Sequence, residues 1–462
     1  MEPIADTEIK RVLVVNAHPD DSDFGASGTI AQWVQKGIEV AYVFCTNGDQ
    51  GGEDSGFTKE EMPAIRQREQ RAAGAAIGVS HLVQSTRAGA DFGFGLLWAI
   101  LIAALFKYPF FQFGPRYAAA TGETLLDGYK KLGSGVLAIS YCISFITMFI
   151  IQAAVTIVTA ALAVNVFGGV DMITWSLLII ILSISILIIG KYKLLDNLMK
   201  YVILILTVST LIAVGVAIIK NNQAHTFIQV FPEGAIEIYF LIAFLGWMPA
   251  PLDISIWQSI WSLEKEKTTL KKTTTKQAIF DFNIGYIGTI LLAICFIALG
   301  ALVMNKTGQS FSNKGSVFAS QLIELYTKNL GDFAYVFIAI AAFTTMFSTT
   351  ITTLDASPRA MSIANGLLFS NKIKLNYYFW IILLGIGTYI ILRYFRDDMG
   401  LMVKIATILS FLTAPFYAVL NYILITGKHT PKEHQPSVYL KILSICGIIF
   451  LIVFSAWFLI NL

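Results

Sequence analysis

From residue 72 onward the chain is a succession of long apolar stretches separated by short polar intervals, eleven in all. They run from about 72 to 90, 93 to 113, 136 to 166, 173 to 190, 199 to 219 and 235 to 263. The remaining five run from about 278 to 304, 333 to 356, 377 to 393, 402 to 425 and 438 to 459. At a rise of about 1.5 Å per residue, some 20 apolar residues cross a hydrocarbon core about 30 Å thick. The pattern therefore predicts an all-α polytopic membrane protein of about eleven transmembrane helices. The first stretch is polar in its middle. Before residue 72 the period changes: Arg11–Asn16 is a β-branched run of the kind buried strands use, and residues 40–45 form a second one. Helical spacing covers 25–36, closed by Gly37, and 59–73. The order β-α-β-α describes half of a parallel-sheet domain, with chemistry expected in the loops after the strands.

Two of the apolar stretches are interrupted. The sixth contains Gly246-Trp247-Met248-Pro249-Ala250-Pro251 followed by Asp253. Two prolines within three positions remove two N–H donors and do not continue an α-helix. The first contains Gly78-Val79-Ser80-His81 followed by Gln84, Ser85 and Thr86. Unwound backbone at membrane depth persists only where it lines a cavity or is buried in protein. Interruptions five helices apart predict an inverted five-plus-five repeat with substrate held at the two breaks.

Composition sharpens the division. Charged residues are 14% of the chain and mean hydropathy is +0.67, against roughly 25% charged in soluble proteins. Of the first 71 positions, 20 are charged; of the other 391, only 43 are. The junction near residue 72 thus separates a soluble α/β segment, 1–71, from a membrane segment, 72–462, with no linker between them. A gene fusion and an assembly artefact both fit that seam. The acidic N-terminus lacks the apolar core of a signal peptide, and a net charge of +3 gives no reason to expect nucleic acid as a partner. With the N-terminus placed in the cytoplasm, inner loops carry seventeen Lys and Arg and outer loops six, a positive-inside bias. That predicts a multi-pass inner (plasma) membrane protein with its C-terminus outside. The four cysteines share no ligand or disulfide spacing and read as packing thiols.

In the soluble segment, Ala17-His18-Pro19-Asp20-Asp21 and Thr46-Asn47-Gly48-Asp49-Gln50-Gly51-Gly52 follow the two strands. These loops resemble those of the LmbE/PIG-L family of zinc-dependent de-N-acetylases. The resemblance implies His18 and Asp21 as zinc ligands and Asp20 as general base. An imidazole and a carboxylate can hold zinc while a second carboxylate activates its water. The family's further histidine has no counterpart, since HxxH occurs nowhere in the chain. About 70 residues also bury too little surface for a robust domain. The expectation is a truncated, inactive remnant without zinc, and a chain that is no enzyme.

In the membrane segment, residues 75–126 resemble the NRAMP divalent-metal transporter family. The likeness is carried by Gly89-Ala90-Asp91-Phe92-Gly93 to Leu97-Trp98, by Ala120-Thr121-Gly122-Glu123-Thr124, by Met248-Pro249 and by the helix count. It spans about 72–462 and implies the LeuT-type fold, five plus five helices and one more, with transport of Mn²⁺ or Fe²⁺ usually coupled to protons. The departures lie at the metal site. The family's Asp-Pro-Gly-Asn at the first break aligns with Gly78, Val79, Ser80 and His81, and its Met-Pro-His at the sixth with Met248, Pro249 and Ala250. A hard or borderline dication wants carboxylate or imidazole, and Asp253 is the nearest carboxylate.

The candidate substrate site is therefore Gly78, Ser80, His81, Met248, Pro249, Ala250 and Asp253, with His81, Met248 and Asp253 as side-chain ligands of the transported ion. Each has a plainer alternative. His81 is otherwise a hydrogen-bonded packing histidine, Met248 a gap filler, and Asp253 a cap for the second half-helix. Hydroxyls on the eighth helix form a sodium site in other LeuT-type carriers, which makes Ser348 and Thr349 candidates for the coupling ion, H⁺ or Na⁺; the alternative is close packing and back-bonding. Lys107 reads as a snorkelling side chain near the inner end of its helix, and Asp281 and Asn283 as a cap of the seventh helix. The function expected is secondary active transport of a divalent cation by alternating access. The rival readings are cation-coupled symport of a small organic solute and a membrane-tethered zinc de-N-acetylase; the partners are the bilayer, the cargo and the coupling ion, and no cofactor is expected.

Overall fold

A computed structural model describes residues 11–16, 39–44, 78–189, 207–219, 227–269, 273–305, 311–312, 314–331, 334–369, 375–394 and 399–460. The chain divides into two units, Met1–Arg68 and Glu69–Leu462. In the first, β1 (Arg11–Asn16) and β2 (Glu39–Phe44) pair in parallel, from Arg11 opposite Glu39 to Asn16 opposite Phe44. Both expected strands are present, the second shifted by one residue. The helices expected at 25–36 and 59–73, and the loops with His18, Asp20 and Asp21, lie outside the described residues.

Every described element of the second unit is a helix. Its first described element is a widened, π-wound segment, Gly78–Ser85, which runs directly into α1 (Thr86–Phe92). There follow α2 (Leu97–Thr121), the short α3 (Leu125–Leu132), α4 (Ser134–Phe167), α5 (Met172–Ile189) and α6 (Thr207–Ile219). The chain continues with α7 (Ala235–Trp247), α8 (Ile254–Thr269), α9 (Thr275–Val303), α10 (Gly315–Leu330) and α11 (Ala334–Phe369). It ends with α12 (Tyr377–Tyr394), α13 (Met399–Thr426) and α14 (Val438–Ile460). Among the described residues, eight helices are long and apolar enough to cross a membrane, and two shorter apolar ones accompany them. Large apolar side chains point outward, such as Leu101 and Leu105 on α2, Ile181 and Leu182 on α5, and Ile386 and Ile390 on α12. Outward-facing Leu and Ile in such number fit lipid as the solvent.

The packing has a pseudo-twofold logic. α1 lies against α9, and α8 lies against α2, while α2 and α9 also pack on each other. The heaviest contact joins α4 to α11, their equivalents in the two halves. The two short amphipathic helices fall at matching places as well, α3 after the second long helix and α10 after the seventh. This is a LeuT-type arrangement of two five-helix halves, with α14 added against α2 and α13.

Tight helix contacts rest on small residues, as expected where apolar burial gives no drive between helices. A Cβ on Gly89 would lie 2.1 Å from the Ile297 carbonyl oxygen, and one on Gly300 would lie 2.2 Å from that of Thr86. α1 and α9 are therefore in backbone contact. Helix starts are set by capping boxes: Thr124 with Asp127 on α3, and Thr274 with Gln277 on α9. The second displaces Asp281 and Asn283 from the cap expected of them. α9 begins before both, and Asn283 instead accepts a hydrogen bond from the Tyr108 hydroxyl at 2.8 Å. Among the described cysteines, Cys142 and Cys446 are exposed and Cys295 is partly packed, so the expectation of packing thiols fails for the first two; Cys45 lies outside the described residues.

Candidate substrate site at the broken helix

The sixth apolar stretch is two helices, as its prolines require. α7 ends at Trp247, Met248 is extended (φ −95°, ψ 124°), the Met248–Pro249 peptide is cis, and α8 starts at Ile254. The break is deeply buried: Met248, Ala250 and Leu252 are 5% exposed or less. Asp253 is half-buried and stands one residue before the start of α8, its carboxylate facing the backbone N–H groups of Asp253 and Ile254. The Ser255 hydroxyl donates to the Leu252 carbonyl at 2.8 Å.

Surrounding helices clamp this segment. A Cβ on Gly246 would come within 2.1 Å of the Thr407 carbonyl oxygen, so α7 touches α13 backbone to backbone. The Trp247 indole donates to the Ser410 hydroxyl at 2.8 Å. On the α8 side, Asn421 of α13 donates to the Ser255 hydroxyl at 3.0 Å and accepts from the Tyr129 hydroxyl at 2.6 Å. The Ser259 hydroxyl accepts the Leu125 N–H at 3.0 Å, tying α3 to α8.

Lys107 is the residue that sequence reasoning misplaced. It is fully buried in the middle of α2, and its Nζ donates to the carbonyls of Leu245 (2.6 Å), Gly246 (2.7 Å) and Ala250 (3.3 Å). A snorkelling lysine would reach headgroups; this one reaches across to the broken helix. The carbonyls it meets belong to the last turn of α7 and to the unwound segment, which have no intrahelical partners. The carboxylate of Asp253 is the charged group acting on it.

At the first interruption the backbone departs from α-helical winding without coming apart. The non-helical kink expected at 78–81 is a π-wound stretch from Gly78 to Ser85, a distortion that π-turns commonly supply at functional sites. The reason lies in the composition: Gly78-Val79-Ser80-His81 contains no proline, so no N–H is missing. The segment packs against α4, α7, α9 and α11, which brings the two interrupted stretches together. The side chains of Gly78, Ser80 and His81 lie outside the described residues.

The hydroxyl-rich α11 faces α4 over much of its length. Thr353 donates to Gln152 at 2.6 Å, Thr350 and Thr159 share a 2.7 Å hydrogen bond, and Gln152 donates to the Thr350 carbonyl at 3.2 Å. Thr349 donates back to the Thr345 carbonyl at 3.1 Å, and Ser348 is partly exposed. Among the described residues, no three His, Cys, Asp or Glu side chains converge as a metal-holding group.

Residues 72–461 match the family described as natural resistance-associated macrophage protein-like, Nramp. Residues 13–93 match the GlcNAc-PI de-N-acetylase family, PIG-L. An uncharacterized protein of Pasteurella multocida is 36% identical over 84% of this chain and 90% of its own length. A crystal structure of an Eremococcus coleocola manganese transporter variant aligns over 87% of both chains, with a TM-score of 0.64 and 13% identity. The N-terminal part is 33% identical to a diacetylchitobiose deacetylase of Thermococcus kodakarensis, over 18% of this chain and 30% of that enzyme.

Proposed function

The chain belongs to the Nramp family, and on that premise we propose that it is a secondary active transporter of divalent metal cations working by alternating access. The observation that carries this reading is the sixth-helix break, which sets backbone carbonyls without intrahelical partners and the Met248 thioether deep between two half-helices. Half-helix ends at the midplane are where such carriers hold their cargo. In this reading the ion passes between the break at Met248, Pro249 and Ala250 and the π-wound stretch containing Gly78, Ser80 and His81. Met248 and His81 supply the softer ligands, and Asp253 supplies charge from the rim. Manganese is the first cargo to try, because a structural neighbour is a manganese transporter. Protons or sodium drive the cycle, with Ser348 and Thr349 on the sodium route. The N-terminus faces the cytoplasm of an inner-membrane protein, as the loop charges favour.

The test is uptake of radioactive Mn²⁺ into proteoliposomes holding the full chain, under a proton gradient, a sodium gradient or neither. Gradient-stimulated uptake, reduced at least tenfold by Met248→Ala, is expected. Uptake of an organic solute with no divalent ion moved would overturn the assignment.

The N-terminal segment spans less than a third of the deacetylase it matches, which supports reading it as a piece without activity. His18 and Asp21 lack the third ligand that catalytic zinc usually takes, so purified full-length protein is expected to hold no stoichiometric zinc. Metal analysis with an amidase assay decides this: one tightly held zinc per chain together with turnover would reverse it.

A further inference from the structure

The break at Met248–Asp253 is where a cargo cation is read to sit, and the carbonyls of Leu245 and Gly246 at its edge and of Ala250 within it are already engaged. An ammonium group has three donors and no acceptor, and all three hydrogen bonds of Lys107 go to backbone oxygens, two in the last turn of α7 and one in the break, at 2.6, 2.7 and 3.3 Å. The end of a helix attracts cations through its unpaired carbonyls and its dipole. Lys107 fills that role at the C-terminus of α7 from inside the protein. An oxygen cage of this kind is also what a hard cation seeks. Two cations cannot share it, because at a few ångströms in a low-dielectric interior their repulsion is large.

Formal charge points the same way. The described charged groups at the break are Lys107 and Asp253, and they sum to zero. With the lysine in place, an incoming dication meets a neutral site whose oxygens are committed. With the lysine displaced, it meets three free carbonyls, a buried thioether and one uncompensated carboxylate.

We infer that Lys107 is the resident cation of the sixth-helix break and that a divalent metal reaches the carbonyls of Leu245, Gly246 and Ala250 only by displacing its ammonium group, so that Lys107 sets the carrier's affinity and selectivity. This rests on the transport reading above for its meaning but not for its test.

Full-length wild-type, Lys107→Gln and Lys107→Arg proteins in detergent are titrated with Mn²⁺ by calorimetry. Glutamine keeps hydrogen-bond donors near the carbonyls and drops the charge, so K107Q is expected to bind Mn²⁺ at least tenfold more tightly, about 1.4 kcal/mol. K107R keeps the charge and is expected to bind no more tightly than wild type. Unchanged, weaker or absent Mn²⁺ binding by K107Q overturns the inference. A second readout needs only wild type and K107R, should K107Q not fold. In ¹⁵N-lysine-labelled protein, the Lys107 Nζ resonance, identified by its loss in K107R, shifts on saturation with diamagnetic Cd²⁺. A resonance unmoved by Cd²⁺ also overturns it. Mn²⁺ uptake by wild-type proteoliposomes separates the two readings. Uptake with unchanged K107Q affinity keeps transport and removes displacement. Tighter K107Q binding with no uptake by either protein does the reverse.

Discussion

Single residues at the sixth break have little room to vary. Gly246 sits against the Thr407 carbonyl so closely that any Cβ forces the α7 and α13 backbones apart. Gly246→Ala is therefore expected to destabilise the protein by about 1–3 kcal/mol, the usual range for overpacking. Thermal unfolding in detergent, followed by size exclusion, reads this directly, and an unchanged melting temperature would contradict the close approach. The chemistry of the break itself was legible, because a proline lacks an N–H wherever it stands. Lys107 was not, and the cause is a misplaced helix end. An apolar stretch ending at 113 puts Lys107 six residues from water, whereas α2 runs on to Thr121. Its last turns tolerate Pro115 and Arg116, the latter holding Gln112 at 2.8 Å and the His434 carbonyl at 3.2 Å. Polar residues satisfied by a neighbouring turn do not end a helix, and hydropathy alone treats them as though they did.

At the scale of elements, the seam between α1 and α9 is expected to be the least forgiving. Gly300→Ala should lower stability by about 1–3 kcal/mol and loosen α1, measurable as faster hydrogen exchange across 86–92 than in wild type. A change confined to α9 would count against the seam. Another joint lies between α11 and α12, where Arg359 pairs with Asp355 at 2.8 Å and Tyr377 donates to the same carboxylate at 2.7 Å. The Arg359 guanidinium also lies 5.0 Å over the Tyr377 ring. This joint escaped the sequence for the same reason as Lys107: α11 continues through Asp355 and Arg359 to Phe369. The π-wound stretch escaped for a different one. Polar side chains and a glycine mark a place where winding is weak, but which departure results is decided by the neighbours that pack on it.

For the whole molecule, the alternation of apolar and polar stretches was enough to give the helix order, and the spacing of the two interruptions gave the repeat. What hydropathy could not give was the exchange of partners, in which each interrupted helix leans on the second helix of the opposite half. Sidedness is the molecular-scale property that the loop charges predict. Single cysteines placed at Lys220 and Lys265, in a background without the native four, test it. A membrane-impermeant maleimide is expected to label the first in intact cells and the second only after permeabilisation. The opposite pattern would invert the orientation.

The reciprocal glycines of α1 and α9 carry a genetic corollary. When a large side chain collides with another side chain, trimming the obstacle restores the fit, and suppressor mutations arise readily. Here the obstacles are the carbonyl oxygens of Ile297 and Thr86, which no codon change can shorten. A screen for second-site revertants of a Gly89 or Gly300 variant should yield true reversions and little else.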